Sequence, residues 1–210
     1  MACNLQFIRQ EIGSAWSSMS LRIMLVDESR SRSELLMGAL LAAGHEVVAQ
    51  VDPDEDLLEC VERIRPDLII IGMDSARRDT LEHVCIISRD QPRPVVMFTA
   101  DEDRDMMRAA VRAGVSAYVV GGLSSERVKP IIEVAMARFD EYQALRRELE
   151  KAQTTLAERK TIERAKGIIM TQRGCSEEEA YQLMRTAAMA NNQRVHDLAK
   201  SIITAAELLT

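Results

Sequence analysis

Asp27 and Glu28 stand side by side where the apolar run LRIMLV ends, and adjacent carboxylates suit a hard divalent cation such as Mg²⁺. The same pair can serve a plainer end, capping backbone groups where a strand stops. Thr99 closes the run PVVMFT and Tyr118 lies within AYVV. As residue types these are a strand-end hydroxyl and a packed ring. A second set is basic. Arg159, Lys160, Arg164, Lys166 and Arg173 gather around the end of a long helical stretch, while Arg185, Arg194 and Lys200 belong to the next two helical patterns. Cations from three helices can engage phosphates and the edges of splayed loop bases, or form a solvated, salt-bridged surface. Cys3, Cys60, Cys85 and Cys175 are far apart with no CxxC pair, and His45, His83 and His196 are equally scattered. Neither a disulfide framework nor a zinc site is expected.

These residues need elements to position them. From Leu21 to Val120, short apolar runs alternate with amphipathic segments: LRIMLV, a helix near 31–43, EVVAQV, a helix near 54–64, DLIII, a helix near 79–88, PVVMF, a helix near 102–113, and AYVV. Five such alternations predict an α/β fold, a doubly wound five-stranded parallel sheet with helices on both faces. Ligands then sit at the carboxyl ends of the strands, where Asp27, Glu28 and Thr99 fall. Residues 1–20 lack periodicity and read as a flexible extension.

After Gly121-Gly122 the helical pattern resumes at Ser124 and runs without Gly or Pro from Ile131 to Lys166. Tyr142, Leu145, Leu149, Ala152 and Leu156 recur along it at steps of 3, 4, 3 and 4, the spacing of a coiled-coil dimer seam or of a stripe folded onto its own domain. Two further helices complete a compact three-helix module. Ser176 and Glu179 have capping-box spacing, followed by apolar Ala180, Leu183, Met184 and Ala187. Asn191-Asn192 breaks that helix, and Val195, Leu198, Ala199, Ile202 and Ile203 stripe the last one. Lys166-Gly167 is unusual inside a helix, because Gly costs about 1 kcal/mol there unless something approaches closely.

Composition narrows the classes of function. The chain has 210 residues, 47% hydrophobic and 29% charged, enough for one large or two small globular domains. No apolar run reaches the roughly 18 residues of a membrane span, and the start lacks a secretory pattern, so a cytoplasmic place without membrane contact is expected. Aromatics are 3%, which argues against a stacking surface for single strands. Residues 1–130 carry 15 Lys and Arg against 21 Asp and Glu, whereas residues 131–210 carry 12 of each. An anionic partner is therefore favoured at the C-terminal end.

The order of VDES, VVMFTA and AGVSAYVV resembles the receiver domain of two-component response regulators over about residues 21–123. The resemblance implies a Mg²⁺ site at Asp27 and Glu28, with Thr99 and Tyr118 as the switch hydroxyl and switch aromatic. It also demands a phosphoacceptor Asp after the third strand and a Lys after the fifth. PDLIIIG puts Gly72 at the first place and AYVVG puts Gly121 at the second. Glycine supplies neither a nucleophile nor a neutralising ammonium, so a pseudo-receiver without its acceptor is expected. Asp74 is the weak substitute: two residues further on, it lies about 6.5 Å beyond position 72 and reads as a solvated loop acid.

The segment with AKGIIM, Gly174 before the capping box, EAYQLMRTAAM and DLAKSII resembles the ANTAR domain, an RNA-binding three-helix module, placed at 159–210 after a long-helix linker at 124–158. A pseudo-receiver, coiled coil and ANTAR module together resemble the NasT-like and AmiR-like antiterminators, with RDTLEHV favouring the nitrate-assimilation kind. That resemblance implies a non-enzymatic homodimer that binds paired hairpins in leader mRNA. It further implies control by an inhibitory, ligand-sensing, NasS-like protein rather than by phosphorylation, with no cofactor required. The alternatives are a protein-interaction adaptor and a phosphorylation-dependent response regulator; Gly72 and Gly121 disfavour the latter.

Overall fold

The computed structural model describes residues 20–74, 78–121 and 124–208. The 1–20 extension therefore lies, except for Ser20, outside the described residues, as does Gly122. The chain divides into two compact units between Gln143 and Ala144.

In the first unit, β1 (Arg22–Asp27), β2 (Glu46–Val51), β3 (Leu68–Met73), β4 (Val95–Thr99) and β5 (Ala117–Val120) alternate with α1 (Arg30–Ala42), α2 (Leu57–Ile64), α3 (Arg78–Asp90) and α4 (Arg104–Ala113). The strands form one parallel sheet in the order β2-β1-β3-β4-β5. The continuous apolar runs follow from burial on both faces. Met24, Val26, Ile69, Ile71, Val95 and Met97 enter one core cluster, and the intervening Ile23, Leu25, Leu68, Ile70, Val96 and Phe98 enter the other. Helix starts differ slightly from the periodicity because acids cap them. The Asp56 side chain accepts the N–H groups of Leu58 and Glu59, so α2 begins at Leu57 rather than near 54.

The sheet order reverses between β1 and β3, which opens the crevice at their carboxyl ends. Asp27 pairs across the sheet with Gly72, and Thr99 with Met73 and Val120. Gly121 follows β5 directly with φ +68°, a left-handed backbone that a lysine there would adopt only under strain.

Helix α5 spans Ser125–Arg173, longer at both ends than the run from Ile131 to Lys166. It passes through Pro130 in its second turn and through Gly167, and stops at Gly174, whose N–H donates to the Met170 carbonyl. The second unit holds the end of α5, α6 (Glu177–Ala190) and α7 (Val195–Leu208). The capping box forms: the Ser176 side chain accepts the Glu179 N–H, and the Glu179 carboxylate accepts the Ser176 N–H at 2.8 Å. Ala165, Met184 and Ala199 make the fully buried centre, flanked by Ile162, Ile169, Val195, Leu198, Ile202 and Ile203. Leu183 departs from its expected place in the stripe, being 41% exposed, because Ala180, Met184 and Ala188 already supply the buried face.

Candidate functional site

The β1–α1 connection shapes the strand-end crevice. Asp27 is the last residue of β1, and one of its carboxylate oxygens accepts the Ser29 N–H at 2.7 Å, fixing the loop. Ser29 then caps α1, so Arg32 comes off the first turn of that helix and reaches back over the strand ends. Its Nε lies 2.9 and 3.1 Å from the two Asp27 oxygens, and Nη2 lies 2.9 Å from one of them. Nη1 meets the Asp74 carboxylate at 2.6 Å. The Asp27 side chain has no exposed surface and the Arg32 side chain is 17% exposed. Burial opposes the charge on Arg32, but the hydrogen bonds it donates to Asp27 and Asp74, and their charges, outweigh it and raise the guanidinium pKa.

Asp74 is therefore more than a solvated loop acid. Its carboxylate is exposed on one side, yet it grips Arg32, and its carbonyl accepts the Thr99 hydroxyl at 3.2 Å. Thr99 is buried and also accepts the Asp101 N–H at 3.1 Å. The Glu28 carboxylate stands 3.5 Å from the Asp74 N–H. Tyr118 packs against the first core cluster, and its hydroxyl finds no hydrogen-bond partner among the described residues. Burial, and then the charges of Asp101 and Asp103, push its phenol pKa up.

Receiver domains commonly hold Mg²⁺ in this crevice. Here the donor set does not fit it. Both Asp27 oxygens are committed to Arg32, and Gly72 provides no carboxylate opposite. A Cβ added at Gly72 would overlap an Asp27 oxygen and fall 2.9 Å from Arg32 Nε, so the space of an acceptor side chain is already filled. Among the described residues, no group of three or more His, Cys, Asp or Glu is arranged to hold a metal ion.

In the helical unit the basic residues separate into two kinds. Lys166 is 7% exposed, and its ammonium lies 2.7 Å from Glu163 and 2.7 Å from Glu177, so it packs inward rather than presenting a free charge. Arg164 pairs with Glu207 at 2.8 Å on the surface. Arg159, Lys160, Arg173, Arg185, Arg194 and Lys200 are exposed and carry no ion pair among the described residues. Arg173 borders an open groove of about 620 Å³ with Cys175, Gln182, Leu183 and Thr186. Tyr142, Leu145, Leu149, Ala152 and Leu156 are all exposed on α5.

Known proteins share both parts. The response regulator receiver domain matches residues 23–133 and the ANTAR domain matches residues 150–203. The transcriptional regulatory protein PdtaR of Mycobacterium tuberculosis is 30% identical over 182 residues, 87% of this chain and 89% of that protein. The chain belongs to the ANTAR response regulators. A nitrate regulatory protein of Klebsiella oxytoca is 37% identical over 76 residues, which cover 36% of this chain and 19% of that protein. The receiver fold is also that of the signal receiver domain of a modulated diguanylate cyclase from Desulfovibrio desulfuricans G20, with TM-score 0.52 and 18% identity over 59% of this chain and 99% of that one.

Gly72 lies inside β3, one residue before its end at Met73, rather than after the strand, and Gly121 directly follows β5. The residue that sequence reasoning missed is Arg32. Its only signal was an arginine one helical turn past the paired acids in a chain that lacks the third acid. A basic residue on a first helical turn otherwise reads as solvated. No described helix is long and apolar enough to cross a membrane.

Proposed function

We propose that this response regulator binds paired hairpins in a leader mRNA through its ANTAR unit and so prevents transcription termination. The observation that carries the reading is the set of six exposed cations, on or next to the three helices of the ANTAR unit, that make no ion pair among the described residues, one of which, Arg173, borders an open groove with polar Gln182 and Thr186. Unpaired cations bind phosphates, and a groove with amide and hydroxyl groups accepts the edge of a splayed loop base. The exposed stripe Tyr142, Leu145, Leu149, Ala152 and Leu156 supports a parallel homodimer, which supplies two RNA units for two hairpins. With glycine at both catalytic places of the receiver, control falls to an inhibitory, ligand-sensing protein that docks on the regulator, not to phosphoryl transfer. Nitrate as the inducing signal rests on the stretch shared with the nitrate regulatory protein.

The test is binding of the full chain to a two-hairpin leader RNA against a scrambled control. Arg173→Ala and Arg185→Ala should each weaken binding by about 1–3 kcal/mol without lowering the thermal midpoint. The slope of affinity against salt should fall by roughly 0.7 for each single-strand phosphate that the variant no longer neutralises. Equal affinity for both RNAs, or unchanged affinity in both variants, would remove the RNA reading and leave the adaptor.

A further inference from the structure

We propose that Arg32 is a resident cation of the strand-end crevice, standing where receiver domains place a divalent metal, and that Gly72 and Arg32 form one substitution in two parts. The geometry gives the reason. A guanidinium is planar and presents parallel donors, so it can satisfy both oxygens of a buried carboxylate and still reach a second acid. Arg32 does this with Asp27 and Asp74. Its Nε comes within 2.9 Å of the place where any side chain at position 72 would begin, and an Asp27 oxygen comes closer still. A side chain at position 72 would have to displace both the Asp27 carboxylate and this guanidinium. Glycine is the residue that lets the cation in.

The arrangement also positions the switch groups. Asp27 ends β1, Arg32 belongs to α1, and Asp74 begins the loop after β3. The Asp74 carbonyl then holds the hydroxyl of Thr99 at the end of β4. One half-buried cation thus links three neighbouring elements, and through them the threonine. Arg32 is a positioning residue: it holds Asp74, the residue after β3, permanently instead of conditionally. This inference does not depend on the RNA reading.

The experiment titrates the full chain with Mn²⁺, read by the loss of the free-ion paramagnetic resonance signal, alongside thermal melts with and without Mg²⁺ at matched ionic strength. The parent chain should take up no Mn²⁺ at millimolar concentration, and its midpoint should not respond to Mg²⁺. Arg32→Ala, and the milder Arg32→Gln should the first fail to fold, releases Asp27 and Asp74. Either variant should bind about one Mn²⁺ and melt higher with Mg²⁺ than without it. Gly72→Ala should lower the parent's midpoint by several degrees, and by less than half as much in the Arg32→Gln background, because Asp27, no longer gripped by the guanidinium, can turn away from the added Cβ. Equal Mn²⁺ uptake by parent and variant, whether both bind or neither does, overturns the proposal. Additive midpoint losses for Gly72→Ala and Arg32→Gln overturn it as well.

Discussion

Arg32 in the receiver unit and Lys166 in the ANTAR unit both sit between two carboxylates, at distances from 2.6 to 3.1 Å. The acids differ. Asp27 has no exposed side-chain surface, whereas Glu163 and Glu177 are 53% and 67% exposed. A carboxylate out of water depends on its partner, because without it the charge is stranded in a medium that cannot solvate it. Carboxylates in water lose little when the partner goes, since solvent and salt replace it. The side chains match those surroundings: a rigid fork for a buried acid, a flexible ammonium for two mobile ones. The exposure of the acids, rather than the number of ion pairs, decides how much each cation matters.

The largest test of that contrast is Asp27→Asn. The amide keeps the size and one acceptor but leaves the Arg32 charge in a crevice where it is 17% exposed. The receiver unit should lose about 2–4 kcal/mol in urea unfolding. Glu177→Gln, removing one exposed partner of Lys166, should move the ANTAR unit far less. Equal losses in the two variants would mean that exposure is not the deciding variable.

Two glycines sharpen the comparison. Gly72 is crowded by Asp27 and Arg32, whereas a Cβ at Gly167 meets nothing within 4 Å. Gly167→Ala should therefore stabilise α5 by up to about 1 kcal/mol, the difference in helix propensity. The close approach that would justify this glycine is not made by the described residues of the chain itself. If RNA makes it, Gly167→Ala gains stability and loses affinity for the two-hairpin RNA together. A thermal melt and a binding isotherm on one preparation separate this outcome from a pure gain in stability.

The sheet and the capping box at Ser176 were legible because each is set by local pattern: buried apolar runs between helices, and a short polar spacing before an apolar helix. The place of Gly72 was legible to within a residue or so, since the apolar run LIII stops at it while the strand continues to Met73. Arg32 was not, because the pairing that buries it joins α1, β1 and the loop after β3, and no spacing along one element encodes it. Lys166 failed in the other direction. Among Arg159, Lys160 and Arg164 it reads as one more surface cation, and only the return of α6 brings Glu177 to it. Helical periodicity likewise put Leu183 with Met184, although the buried face of α6 has room for one of them.

The smallest expected effect is at Lys166. Methionine keeps an apolar stem of similar length and removes only the ammonium, so Lys166→Met should cost the ANTAR unit less than about 1 kcal/mol. The pH dependence carries the sign. The hydrogen bond and then the charge of Lys166 hold the Glu177 carboxyl below its usual range, so the folded unit binds fewer protons there than the unfolded chain. That contribution is present above the carboxylate range and fades as pH falls through it. Glu163 and Glu177 in turn raise the Lys166 pKa, a contribution that is present at neutral pH and fades as pH rises through the lysine range. Lys166→Met should abolish the alkaline loss and reduce the acidic one, while Glu179, lowered by its hydrogen bonds from Ser176, keeps the remainder. Thermal midpoints of parent and variant across pH measure both edges. RNA affinity should stay at the parent value, unlike that of Arg173→Ala, because the ammonium already faces two acids. A loss as large as that of Asp27→Asn, or a fall in RNA affinity at constant stability, would show that Lys166 is not the inward, solvent-buffered cation that its exposed partners make it.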